Sequence, residues 1–282
     1  MKQIVYLATD RCNMRCKFCK IPKTDMKKHM EIASLELLRH FDESPFLKTL
    51  SNIAIAGGEP FLKDDIQTFI SGMEERGIRC NITSNGYFTG RIQHIVNYLK
   101  SVESVGMAIS IDGFERTHDH IRNTRGAFKN AVNTVKFLKQ SGVSVQVNTV
   151  LDKENIDEMD DFKDFISSLD VRHSLIPKLS CQDVPYDYDE DEARKVLPHM
   201  QIIRDIKYVI SRGNFTIQNC HAGIESCCLD ADGNIYACLT GAKYLKNTED
   251  YYLGNLHASS FDAIMGGGTT QRCQMRRLLH AL

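Results

Sequence analysis

The sequence predicts an α/β fold: a barrel of six βα units, short of the usual eight, followed by a small cysteine-rich C-terminal domain. Three observations carry this. β-rich runs alternate with helical-period segments from residue 3 to about residue 176, the pattern of repeated βα units around a parallel sheet. Beyond about residue 182 the chain changes to an acidic linker and then a cysteine-rich stretch. The ten cysteines gather at the two ends: Cys12, Cys16 and Cys19 at one, Cys220, Cys227, Cys228, Cys238 and Cys273 at the other, with Cys80 and Cys181 apart.

The expected strands are 3–8, 52–56, 79–83, 105–111, 144–150 and 172–176, and the helices between them are 34–42, 63–77, 89–100, 127–141 and 154–169. The clearest helix carries Phe128, Ala131, Val132, Val135 and Leu138, spaced so that one apolar stripe can cover a sheet. Residues 1–182 form the expected barrel domain and 183–282 the linker helix and C-terminal domain. In the latter, Met200, Ile203, Ile206 and Ile210 make a helical stripe, and Asp230 to Gly233 is a hairpin signal between 227–229 and 234–239.

Composition narrows the function classes. Hydrophobic residues at 42% and charged residues at 25% describe a globular chain, neither disordered nor collagenous. A formal net charge of -1 gives no basic footprint for nucleic acid. The first residues reach a charge too soon for a signal peptide, and no apolar run approaches membrane-spanning length. The expected location is cytoplasmic, where cysteines serve more as metal ligands or catalytic groups than as disulfides.

Cys12, Cys16 and Cys19 put three thiolates on one loop after the first strand, where a closed structural site has four ligands. A cubane held by three cysteines leaves one iron open to a substrate or cofactor. A zinc site completed by a distant Cys or His is the competing reading, although zinc motifs favour paired cysteine elements. The CxxxCxxC spacing, with Phe18 before its last cysteine, resembles the signature of the radical S-adenosylmethionine (SAM) superfamily. That resemblance implies a partial (β/α)6 TIM-like barrel, which agrees with the count above. It further implies a SAM-cleaving [4Fe-4S] cluster on Cys12, Cys16 and Cys19, SAM on the open iron, Phe18 flanking adenine, and an electron donor such as flavodoxin or ferredoxin.

Gly57, Gly58, Glu59 and Pro60 follow the second expected strand. Two glycines let backbone approach a ligand, and a glutamate can accept from an ammonium group. This run resembles the family's GGEP motif, which implies contact with the methionine amine of SAM. Ser84 and Asn85 follow the third strand, Ser110 and Asp112 the fourth, and Asn148 lies near the end of the fifth. Polar residues at C-terminal strand ends of a βα barrel face its mouth, although turns and caps use the same residue types. The run from Ser110 through Asp112, His118, Asp119 and Arg122 to Gly126 and Phe128 resembles that of SPASM and twitch radical SAM enzymes. There it implies that Ser110 and Arg122 approach the SAM carboxylate and ribose.

Cys220, Gly233 and Cys238 resemble the opening of a SPASM or twitch domain, with Cys227 or Cys228 and Cys273 completing four thiolates and Cys227 preferred. The dense cysteine run of a full SPASM domain is absent, so one auxiliary [4Fe-4S] cluster is expected. The relatives implied are peptide-modifying enzymes, sulfatase-maturing enzymes, and dehydrogenases or epimerases of aminosugars and cyclitols. A peptide substrate is the first expectation, tempered by the start of the cysteine motif at Cys12 with no leader-recognition domain ahead of it. A small molecule is the alternative, and a non-catalytic iron–sulfur or zinc protein the reading from another class. Cys181, five residues past the sixth strand, is a candidate hydrogen-atom donor to a substrate radical, beside its reading as an ordinary loop thiol.

Overall fold

The computed structural model describes residues 3–19, 21, 31–178, 189–199, 225–237, 239 and 248–266. Six parallel strands, β1 (Gln3–Leu7), β2 (Asn52–Ala56), β3 (Arg79–Ser84), β4 (Val105–Ser110), β5 (Ser144–Leu151) and β6 (Arg172–Pro177), lie side by side in chain order. Strictly sequential order means that every crossover moves the same way. With the usual right-handed connection, the crossover helices then lie on one face of the sheet. They are α1 (Ser34–Glu43), α2 (Ile66–Glu75), α3 (Thr89–Tyr98), α4 (Glu115–Arg122), α5 (Ala127–Gln140) and α6 (Met159–Ser168).

Among the described residues, β3 and β5 show that the other face is open. A parallel strand covered on both sides reads as a continuous apolar run. Here β3 buries Cys80, Ile82 and Ser84 and leaves Arg79, Asn81 and Thr83 uncovered. In β5, Val145, Val147, Thr149 and Leu151 are buried, whereas Ser144, Gln146 and Asn148 are only half-covered or exposed. The buried set meets the helices in one core, where Tyr6 packs on Phe69 at 5.0 Å and Phe69 on Phe41 at 6.2 Å. The expected stripe of α5 is there: Ala131, Val132, Val135 and Leu138 are buried, with Phe128 packed at the margin.

Two features depart from the sequence expectation. The stretch after β4 contains the additional eight-residue helix α4. Its Asp119 accepts from Gly126 N at 2.6 Å and from Phe128 N at 2.9 Å, so it caps α5 from the preceding helix. Gly126 takes a left-handed φ of +74° at that junction. The second departure is in the C-terminal hairpin, β7 (Ser226–Leu229) and β8 (Asn234–Tyr236). Its turn forms as expected, with Gly233 at φ +78° and Asp230 Oδ1 accepting from Asp232 N and Asn234 N. Yet β7 pairs in parallel with β1, Ile4 opposite Cys227 and Val5 opposite Cys228. With β9 (Tyr252–Asn255) the result is one nine-stranded sheet, β6-β5-β4-β3-β2-β1-β7-β8-β9. The expected domain boundary near residue 182 lies outside the described residues. Among the described residues, no helix is long and apolar enough to cross a membrane.

Candidate functional site

The loop that leaves β1 carries Thr9, Arg11 and then Cys12, and the loop that leaves β2 is laid directly on it. Gly58 N donates to Thr9 O at 2.6 Å and Glu59 N to Arg11 O at 2.8 Å. A Cβ on Gly57, whose φ is +130°, would lie 2.5 Å from Thr9 O, and one on Gly58 would lie 2.2 Å from Arg11 O. The glycine pair is therefore required by a close approach of backbone to backbone. This adds a reason to the approach to a ligand expected from sequence: the two glycines clamp the start of the cysteine loop.

Glu59 is 1% exposed. Its carboxylate accepts from Ser84 Oγ at 2.9 Å, Asn85 N at 2.8 Å and Phe61 N at 3.2 Å. Burial pushes its pKa up to about 7, against the pull of those three donors. Glu59 thus joins the loop after β2 to the loop after β3. Pro60, also buried, starts the short 3-10 turn that follows. Asn85 continues the chain of contacts, its Nδ2 donating to Asn13 Oδ1 at 2.8 Å and reaching Cys12 Sγ at 4.0 Å.

The other side of the cysteine loop is held by α4. Lys17 N donates to Ile121 O at 3.0 Å. Arg122, 7% exposed, reaches Cys16 Sγ with Nη1 at 3.8 Å, and its guanidinium lies 5.4 Å from the Phe18 ring centroid. Its Nε forms an ion pair with Asp112 Oδ2 at 2.6 Å. Burial works against the Arg122 charge, but Asp112 and Cys16 more than offset it, so the group stays charged. Asp112 is fixed in turn by Val150 N donating to Oδ1 at 2.9 Å and by Asn155 Nδ2 donating to its carbonyl at 3.0 Å. Asp112 N donates to His118 Nδ1 at 2.9 Å. Burial holds that imidazole neutral, its pKa down to about 2, so Nε2 carries the proton.

Around the loop, Cys12, Cys16 and Cys19 pack with Phe18, Met14, Ala127 and Tyr87. The Cys12 thiol is pushed up to about 11, chiefly by burial, with Glu59, Cys16 and Cys19 adding to it. Among the described residues no three Cys, His, Asp or Glu side chains close around a single metal ion. A cubane does not ask for that, because each thiolate binds a different iron. Three neighbouring thiols, with a buried guanidinium beside one of them, fit such a cluster in donor type and in charge.

The structure thus brings together Cys12, Cys16, Cys19, Phe18, Gly57, Gly58, Glu59, Pro60, Ser84, Asn85, Asp112 and Arg122. Ser110 and Asn148 sit opposite each other in register on β4 and β5, on the uncovered face. Cys227 is 2% exposed and lies in the core with Ile4, on the helix side of the sheet, where burial pushes its thiol up to about 12. Cys228 points to the opposite face, with Leu7, Val5, Ala56 and Tyr236. The two thiols thus stand on opposite faces of the strand, in different surroundings. Cys181, Cys220, Cys238 and Cys273 lie outside the described residues. Sequence reasoning missed the contact between Arg122 and Cys16, and it missed Thr9 and Arg11 as the backbone acceptors of the glycine pair. No local pattern marks a contact made across forty or more residues.

The family model described as the Radical SAM superfamily matches residues 6–166, and one described as an iron–sulfur cluster-binding domain, SPASM, matches residues 220–280. The Fe-coproporphyrin III synthase of Methanosarcina barkeri is 27% identical over 155 residues, covering 54% of this chain and 38% of that protein. The sporulation killing factor maturation protein SkfB of Bacillus subtilis is 29% identical over 153 residues, covering 54% of this chain and 36% of SkfB. These matches span about two fifths of each relative's length. Among solved structures, Streptococcus suis SuiB bound to S-adenosylmethionine superposes with a TM-score of 0.69 at 17% identity, covering 95% of this chain and 67% of SuiB. The anSMEcpe structure with bound AdoMet and Cp18Cys peptide gives 0.66 at 13% identity, covering 97% and 81%.

Proposed function

Because the chain belongs to the radical SAM superfamily, we propose that it is an enzyme that abstracts a hydrogen atom from a peptide substrate, with an auxiliary [4Fe-4S] cluster in its C-terminal part. When bound and given one electron by an external reductant, the first cluster would cleave SAM to methionine and a 5′-deoxyadenosyl radical, whose capture of one substrate hydrogen would yield 5′-deoxyadenosine and leave a substrate radical. One observation carries the reading: the three-thiol loop is clamped from both sides, by the glycine pair on Thr9 and Arg11 and by α4 through Ile121 and Arg122. Cys12, Cys16 and Cys19 hold the cluster on that loop, and no fourth ligand is needed.

The remaining residues position rather than react. Glu59 keeps the loops after β2 and β3 in register, so that the backbone around Gly58 and Asn85 faces whatever is bound above the thiols. Arg122, anchored by Asp112, places a fixed positive charge against Cys16 and offsets the negative charge of a thiolate-bound cluster. The uncovered face of β3 to β6, ending in Ser110 and Asn148, receives the substrate.

A peptide is supported by the likeness to SkfB, named for maturation of a sporulation killing factor, and by a fold shared with a structure that holds a bound peptide. The comparable identity to Fe-coproporphyrin III synthase favours a second reading, a tetrapyrrole-sized small molecule. Anaerobic reconstitution with iron and sulfide, followed by incubation with SAM and a reductant, tests the common step through 5′-deoxyadenosine. Short peptides encoded beside the gene, and Fe-coproporphyrin III, then compete as substrates by mass spectrometry. A mass change in a peptide supports the first reading, turnover of the tetrapyrrole alone replaces it with the second, and absence of 5′-deoxyadenosine overturns both.

A further inference from the structure

The uncovered face of the sheet is lined by rows that the register aligns. Ala54, Asn81, Gly106 and Ser144 stand side by side, and one step towards the mouth come Thr83, Ala108, Gln146 and Arg172. Closed βα barrels fill such rows with branched apolar residues. Here Ala54, Gly106 and Ala108 leave space, and a cavity of about 420 Å3 opens, lined by polar side chains of β3, β5 and β6. Among the described residues that line it, two, Arg79 and Arg172, are cationic and none is acidic.

Arg79 is seated in this cavity. Its Nη1 donates to Glu103 O at 2.9 Å. Its Nη2 would lie 3.0 Å from a Cβ on Gly106, and Asn81 Oδ1 2.8 Å from it. Gly106 has no left-handed φ to explain it, so its visible role is to leave room beside β4 for the Arg79 guanidinium and the Asn81 side chain. Arg172 enters from β6, in register with Gln146.

We propose that this half of the lumen is an oxyanion subsite, in which Arg79 and Arg172 receive a carboxylate or phosphate group of the substrate through paired N–H donors. It rests on the reading above that the substrate lies along the lumen. The Arg79 guanidinium lies beside Gly106, in register with Asn81, and Ser84, which bonds Glu59 at the rim, ends β3 three residues further on. Three residues at about 3.3 Å each make about 10 Å, so an extended peptide with its anionic group here has about three residues between that group and the rim.

Isothermal titration of the iron-loaded full chain at low salt, with inorganic phosphate in one arm and succinate in the other, tests the subsite. One saturable site per chain is expected, at least tenfold weaker in Arg79→Gln and in Arg172→Gln. Gly106→Ala keeps both charges and should also weaken it by displacing Arg79. The tighter anion identifies the source, phosphate or carboxylate. Absence of a saturable site for both anions, or binding unchanged in both arginine variants, overturns the proposal. Because no turnover is read, this result is independent of whether 5′-deoxyadenosine forms, which tests the underlying reading separately.

Discussion

Cysteines crowd both ends of the chain, but the two ends hold them differently. Cys12, Cys16 and Cys19 lie on a loop whose backbone is bonded to the loop after β2 through Thr9 and Arg11 and to helix α4 through Lys17. Cys227 and Cys228 lie on a strand, where consecutive side chains point to opposite faces, and each is packed in a different apolar cluster. A loop clamped from outside can turn several thiols towards one point, whereas on a strand period-two geometry sends adjacent cysteines to opposite faces.

The largest effect that could break this comparison comes from the N-terminal loop. Replacing Cys12, Cys16 and Cys19 together by Ala should abolish 5′-deoxyadenosine formation and remove about four of about eight irons per chain, two cubanes being expected. Iron analysis and product chromatography measure both. Retained SAM cleavage would place the cluster elsewhere and dissolve the contrast between the two ends.

Glycines sharpen it next. In Gly58→Ala the new methyl would sit 2.2 Å from Arg11 O, a clash of backbone with Cβ that no rotamer relieves. A cost of about 1–3 kcal/mol is expected, together with loss of iron from the first site, because the clamp opens. At the other end, Gly233→Ala meets only side-chain atoms, Ile32 at 3.4 Å and His257 at 3.6 Å, and is strained by its φ of +78° alone. That should cost about 1–2 kcal/mol with the first cluster intact. Equal iron loss in both variants would mean that the clamp is not specific to the cysteine loop.

Cys227→Val probes the strand. A volume-conserving apolar swap in a core costs under about 1.5 kcal/mol, and the auxiliary iron should stay. Loss of about four irons would make Cys227 a ligand despite its place beside Ile4.

Much of this was legible in the sequence. Short β-rich runs between helical-period segments marked β1 to β6, and in β2, β3 and β5 buried and open positions alternate, because one face meets apolar helices and the other does not. Cysteine spacing located the loop, since three thiols within eight residues must share it. The hairpin at Asp230 to Gly233 was legible from its turn chemistry. What was not legible is long-range. The parallel pairing of β7 with β1 joins residues more than two hundred positions apart, and nothing local in Cys227 or Leu229 announces it. The glycine pair was visible, but its partner was not, because Thr9 and Arg11 contribute backbone atoms that carry no residue signature. Helix α4 is short and mostly charged on its surface, and its reason to exist is Arg122, which a local reading cannot connect to Cys16 and Asp112.

The smallest expected effect asks whether the two ends, joined by one sheet, also unfold as one. His173 lies on β6, at the edge opposite β9. Its Nε2 pairs with Thr149 Oγ1 at 2.8 Å, and its ring meets Phe162 edge-on at 5.7 Å. Burial, with Lys163 adding to it, lowers its pKa from 6.5 to about 4. The folded ring therefore binds fewer protons than the unfolded one between these values. Its contribution to stability is whole above about pH 6.5 and lost as pH falls towards 4. The ring is only half-buried, so after solvent screening the change is about 1 kcal/mol or less, about 2–4 °C in Tm. His173→Gln should flatten that part of the pH–Tm profile relative to the native chain. Hydrogen exchange in the β7–β8 hairpin, read at the same pH values, should follow the barrel strands if the nine strands are one cooperative unit. A hairpin whose protection ignores the His173 titration would show that the C-terminal cysteines sit on a part of the sheet that opens independently of the N-terminal loop.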